Sequence, residues 1–245
     1  MTLDRIIAVR NDKTVYHDGN YSIKAFRSSV PMSYILMEGF FQSVAAEIGL
    51  PVPAIHTIRE EGGRWALISD FIKGNSLKRL YLANADKREE YMEHFVAQQL
   101  KIHQKTYCGL PSAKVMMQGR LSQADLPEQI KAEIFAEIEK LPDGICLCHG
   151  DYTLSNIVVT EANTYYILDW SKAVLGSGNY DAAMSYIILG RSLGEEASQL
   201  YLSAYCKASG EKIEAVKLWV PYVAAMRYSV GNAMDRAYYR RFMRI

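Results

Sequence analysis

The spacing of apolar residues changes along this chain. Over roughly the first 70 residues they fall in short alternating runs, the period of half-buried strands. Arg5–Val9, residues 14–16 and Tyr21–Phe26 are such runs, with a turn signal in His17-Asp18-Gly19-Asn20. Residues 32–48 switch to helical spacing, and Gly49, Pro51 and Pro53 stop that helix. Residues 56–59 and 64–68 predict a second hairpin around Glu61-Gly62-Gly63. The pattern breaks at residues 70–75, and helical spacing dominates afterwards. Residues 89–107 and 128–141 predict two helices, the second stopped by Pro142-Asp143-Gly144. At least two more run from Asp181 onward, with Gly210 between a pair. Strands and helices are thus segregated, which predicts an α+β fold in two lobes rather than a doubly wound sheet. The expected lobes are residues 1–72 and 73–245. A cleft between lobes is a common place for a ligand.

One stretch interrupts the helical part. His149-Gly150-Asp151-Tyr-Thr-Leu-Ser-Asn156 precedes an apolar run, Ile157-Val158-Val159, and Tyr165 to Leu168 form a second run before Asp169-Trp170. The two runs predict a hairpin, with Asp151 and Asn156 on the loop entering it and Asp169 just past its exit. A hairpin returns its exit to the side of its entrance. Asp and Asn oxygens are hard ligands of the kind Mg²⁺ takes. An aspartate left free of metal can accept the proton of an attacking hydroxyl.

Composition sets limits on this chemistry. The chain has 245 residues and 49% hydrophobic content, enough for a large core. A net charge of +1 supplies no global field for nucleic acid, so no nucleic-acid partner is expected. The basic segment from Arg240 to Arg244 reads as a solvated end. Four cysteines are too few for a disulfide scaffold. Cys146-x-Cys148-His149 has no second ligand pair to complete a zinc site. With no apolar run long enough to span a bilayer and no leader pattern, no membrane partner and a cytoplasmic protein are expected.

The set Cys148-His149-Gly150-Asp151, Asn156 and Leu168-Asp169-Trp170 resembles the catalytic and metal loops of aminoglycoside phosphotransferases and choline kinases, the protein-kinase-like enzymes that phosphorylate small molecules. Ile23-Lys24-Ala25-Phe26 resembles the strand carrying that family's ATP lysine. Gly49-Leu50-Pro51-Val52-Pro53 resembles the turn after its first helix, and Asp70-Phe71-Ile72-Lys73-Gly74 its interlobe linker. Ile102-His103 resembles a pair in its first C-lobe helix, while Leu110 to Gln129 match less clearly.

The resemblance implies a phosphotransferase that uses ATP (or GTP) and Mg²⁺ on a small-molecule hydroxyl. By it, Asp151 would orient and deprotonate the acceptor, and Asn156 and Asp169 would hold Mg²⁺. Lys24 would contact the α- and β-phosphates, positioned by Glu38. The backbone of Asp70, Phe71 and Ile72 would meet the adenine edge, and His149 would organise its loop. The chain departs from the pattern at residues 8–14, where kinases carry a glycine loop over the phosphates and this sequence has no glycine. Three alternatives follow: Asn11 and Lys13 substitute, nucleotide binding is weak, or activity has been lost. The last would make the chain a catalytically silent binding protein. A metal-dependent phosphohydrolase using Asp151 and Asp169 is a further alternative, but it would leave Lys24 without a task. The aspartates and glutamates of the C-terminal helices are scattered among arginines, so the acceptor stays unnamed.

Overall fold

The computed structural model describes residues 5–10 and 12–243. Its elements run β1 (Arg5–Val9), β2 (Lys13–Asp18), β3 (Tyr21–Phe26), α1 (Met32–Glu47), β4 (Ile55–Glu61), β5 (Arg64–Asp70), β6 (Asn75–Ser76) and α2 (Leu77–Ala83). Then follow α3 (Arg88–His103), α4 (Ala113–Ser122), α5 (Glu128–Lys140), β7 (Cys146–Cys148), β8 (Ile157–Val159), β9 (Tyr165–Ile167) and β10 (Val174–Gly176). The chain finishes with α6 (Gly178–Leu193), α7 (Glu195–Ser209), α8 (Ile213–Lys217), α9 (Val220–Val230) and α10 (Ala233–Arg240). Packing divides the chain into two units, Met1–Leu80 with Leu154–Lys172, and Tyr81–Thr153 with Ala173–Ile245.

In the first unit an antiparallel sheet runs in the order β1-β2-β3-β5-β4. Period-2 alternation gives it two apolar faces. Tyr16, Ile23, Ala25, Ala66 and Ile68 cluster on one. Phe26 and Leu67 cluster on the other with Ile35 of α1. The hairpin expected after Asn156 is present as β8 and β9. It belongs to this unit rather than to the helices around it in sequence, because β8 pairs with β6 (Asn75 opposite Val159) and the Ile167 N–H donates to Pro51 O at 2.8 Å. The approach of β6 to β8 is close. A Cβ placed on Gly74 would collide with the Val159 carbonyl, so only glycine fits there.

The second unit is mainly helical. α6 is buried almost all round, from Tyr180 to Gly190, and packs against α7, α8, α9 and β7. That explains its near-continuous apolar composition. α3 packs on α7, and α4 packs on α5 and α9. Among the described residues, no helix is long and apolar enough to cross a membrane. The strand-rich start and helix-rich remainder bear out the α+β expectation.

Candidate active site

In the first unit, Lys24 stands opposite Val15 and Leu67 on the sheet face that α1 covers. That register aims it at Glu38, one helical turn beyond Ile35, and its Nζ meets Glu38 Oε1 at 2.7 Å. A second lysine shares the carboxylate. Lys13 Nζ lies 3.0 and 2.9 Å from the two Glu38 oxygens and 3.3 Å from Asp169 Oδ1. Asp169 Oδ1 also accepts the Ser171 hydroxyl at 3.0 Å. Glu38 is fully buried and Lys13 nearly so.

Two ammoniums and two carboxylates therefore neutralise one another in a desolvated place, where an unpaired charge would be costly. Burial alone would raise the Asp169 pKa, but the charges of Lys24 and Lys13 outweigh it and hold this carboxyl far below its usual range. For Lys13, burial works against the charged form, and Asp169 and Glu38 overcome it, so its ammonium titrates above the usual lysine range. Asp169 takes φ +63°, a left-handed conformation that aspartate tolerates better than most residues.

The cluster borders a cavity of about 480 Å³ in this unit. Asn156 lines it too, delivered by a 3-10 turn (Leu154–Asn156) at the hairpin entrance. The Leu168 N–H donates to Asn156 O at 2.7 Å, so the hairpin's entrance and exit are tied together beside Asp169. Asp70, Phe71 and Ile72 line the cavity as well. The Asp70 N–H donates to Ala54 O and the Phe71 N–H to Asn20 O, and the Phe71 ring stacks on His17. Of those three residues, only Ile72 makes no backbone hydrogen bond through its N–H among the described residues.

Asp151 belongs to the second unit. Its loop is held from below by Asp181, at the start of α6. Asp181 is fully buried and accepts the Gly150 N–H at 2.8 Å and the His149 N–H at 3.3 Å. His103 Nε2 and Gln99 Nε2 reach the same carboxylate, each at 3.2 Å. Gly150 takes φ +74°, the left-handed conformation between two N–H groups that point at one acceptor. His149 is buried, and its Nδ1 accepts the Asp151 N–H at 3.3 Å, which orders the loop. Burial pushes the Asp181 pKa up, but the His103 hydrogen bond, the His103 and His149 charges and the Gly150 N–H together lower it. Arg227 of α9 lies beside the loop, with Nη1 3.4 Å from Asp151 Oδ1. The Cys148 thiol donates to Ser177 O at 3.5 Å, and burial pushes its pKa well up.

Residues 10–219 match the model of the phosphotransferase enzyme family. The chain belongs to that family. The expectation of a phosphotransferase, and of a kinase in particular, is thereby met. Solved structures of similar fold carry the same kind of name. Aminoglycoside phosphotransferase APH(4)-Ia is 15% identical, with 97% of this chain and 90% of that one covered at a TM-score of 0.69. The choline kinase LicA from Streptococcus pneumoniae is 14% identical, with 99% and 92% covered and a TM-score of 0.69. An aminoglycoside-3'-phosphotransferase of type VIII is 15% identical, with 98% and 91% covered and a TM-score of 0.63. No curated protein matches the chain. These likenesses establish the protein-kinase-like architecture expected from the sequence.

Within this phosphotransferase, the structure gathers Lys24, Glu38, Asn156, Asp169, Asp70, Phe71 and Ile72 at or behind one cavity, and it places Asp151 on the loop held by Asp181. Asn11 lies outside the described residues. Sequence reasoning missed the pairing of Lys13 with Glu38 and Asp169, because its partners are 25 and 156 residues away. It missed the pairing of Arg227 with Asp151 for the same reason.

Proposed function

We propose that the chain transfers the γ-phosphate of ATP (or GTP) to a hydroxyl of a small molecule, in a cytoplasmic setting. The observation that carries this reading is the buried Lys24–Glu38 pair beside Asp169 at a cavity of nucleotide-compatible size. A phosphohydrolase would give that pair no task. In this reading, Lys24 binds the α- and β-phosphates and Glu38 keeps it extended toward them. Ile72 offers its N–H to the purine edge. Asp151 orients the acceptor hydroxyl and takes its proton as the phosphorus–oxygen bond forms.

Asp169 and Asn156 are the residues that would hold Mg²⁺. Their oxygen donors suit that ion, which is commonly held by one or two carboxylates together with substrate phosphates. When bound, the ion would neutralise charge on the transferring phosphate.

The acceptor belongs to the small hydroxylated compounds. One neighbouring structure is a ternary complex with AMP-PNP and hygromycin B, and another is named a choline kinase. Arg227 beside Asp151 weighs against a polycation seated at that carboxylate. The test is a screen of ATP consumption against aminoglycosides, amino alcohols and sugars, with Asp151→Asn as the blank. Acceptor-dependent ADP formation by the wild type alone is the expected result. Saturable ATP binding with no turnover on any acceptor would favour a silent binding protein. Phosphate release from simple esters without ATP would favour a hydrolase.

A further inference from the structure

The β1–β2 hairpin holds the place where kinases approach the phosphates with glycine backbone. Here the Arg10 N–H donates to Lys13 O at 2.8 Å. The hairpin also brings side-chain charge to the cavity. Arg10 and Lys13 both line it. Lys13 is the deeper of the two, only 4% exposed, with its ammonium 5.5 Å from the centre of the Phe26 ring.

An ammonium has three N–H donors. The acceptors around Lys13 Nζ are also three: both Glu38 oxygens and Asp169 Oδ1. Glu38 does not need Lys13 for charge compensation, because Lys24 already meets it at 2.7 Å. Asp169 is the partner that gains from it, through the longest of the three contacts, at 3.3 Å. Lys13 is thus a cation already seated on the carboxylate that a metal would use.

We propose that Lys13 is a second phosphate-binding cation, replacing the backbone of a glycine loop. Without ligand it neutralises Asp169. With nucleotide its ammonium turns from Asp169 to the phosphate oxygens and frees that carboxylate for the metal. The inference rests on the nucleotide reading above. It has a consequence that a purely structural counter-ion would lack. Lys13 brings an ammonium of its own to the phosphates, so part of the nucleotide affinity persists where no divalent ion is present.

The experiment is calorimetric titration of ATP into the wild type, Lys13→Met and Lys13→Arg, once with EDTA and once with saturating Mg²⁺, alongside each variant's unfolding midpoint. The wild type should bind in EDTA within about tenfold of its Mg²⁺ affinity. Lys13→Met should lose about tenfold or more in EDTA, the size expected for one charge-assisted hydrogen bond, and much less with Mg²⁺. Lys13→Arg should keep most of the EDTA affinity. Equal losses for Lys13→Met in both conditions would overturn the proposal and leave Lys13 a structural counter-ion, and so would no loss at all. Wild-type binding only with Mg²⁺ would overturn it without any variant and leave the nucleotide reading standing. No saturable binding by the wild type in either condition would bring down the nucleotide reading, and the proposal with it.

Discussion

Two carboxylates, one half-buried in the first unit and one fully buried in the second, hold functional loops by different means. Asp169 is held by charge: Lys24 and Lys13 lower its pKa, and the Ser171 hydroxyl donates to it. Asp181 is held by hydrogen-bond saturation, from two backbone N–H groups, an amide and an imidazole. A charge-compensated cluster can be rearranged by another charge, such as a phosphate or a metal ion. A carboxylate saturated by short-range donors has nothing to exchange. The difference separates a site built to respond to a ligand from a scaffold built to keep one loop in one shape.

The largest effect should come from altering the loop's reactive residue and leaving its scaffold intact. Asp151→Asn should lower phosphoryl transfer by about 10²–10⁴-fold, the range for losing a general base, while ATP binding measured by thermal shift persists. Comparable turnover in that variant would remove Asp151 from the mechanism. Next comes the scaffold itself. Asp181→Ala should cost about 3–5 kcal/mol in urea unfolding, since it strands several buried donors. A loss below about 1 kcal/mol would mean the saturated shell is not what holds the loop.

Acid should then weaken both carboxylates in the same direction. Each has a folded-state pKa below its unfolded value of about 3.9, so its stabilising contribution is present above that pH and is lost as pH falls through the folded value. Unfolding free energy should therefore drop by about 2 kcal/mol or more between pH 5 and the most acid folded condition, and by less in Asp181→Asn. A pH-independent stability over that range would contradict the ionised state of both. The smallest effect concerns the strand that anchors the hairpin. Gly74→Ala should cost about 1–2 kcal/mol by forcing β6 off β8, with little change in the helical second unit. A neutral substitution would mean the strands separate easily.

Much of this was legible in the sequence where a local rule applied. Gly62-Gly63 between alternating runs marked the β4–β5 hairpin, and the helical spacing of apolar residues over 32–48 marked α1. The cluster HGD, N and DW marked its loops because its members are near one another in the chain. α4 escaped notice. Its buried residues Ala113, Met117 and Leu121 do keep helical spacing, but Gly119 weakens the pattern and neighbouring polar residues blur it. The helix exists because α5 and α9 pack on it. The long-range ion pairs were illegible on principle. Nothing local distinguishes Lys13 from a surface lysine until the fold places it against Glu38 and Asp169, and nothing local joins Arg227 to Asp151 across 76 positions.

The central claim is that the lysine-and-carboxylate cluster of the first unit is a nucleotide-phosphate site. Titration of ATP with Mg²⁺ into the wild type and Lys24→Met tests it most directly. The wild type should bind saturably, and Lys24→Met should bind at least about tenfold more weakly at a matched folded fraction. Equal affinity in the two proteins, or no saturable binding by the wild type, would contradict it.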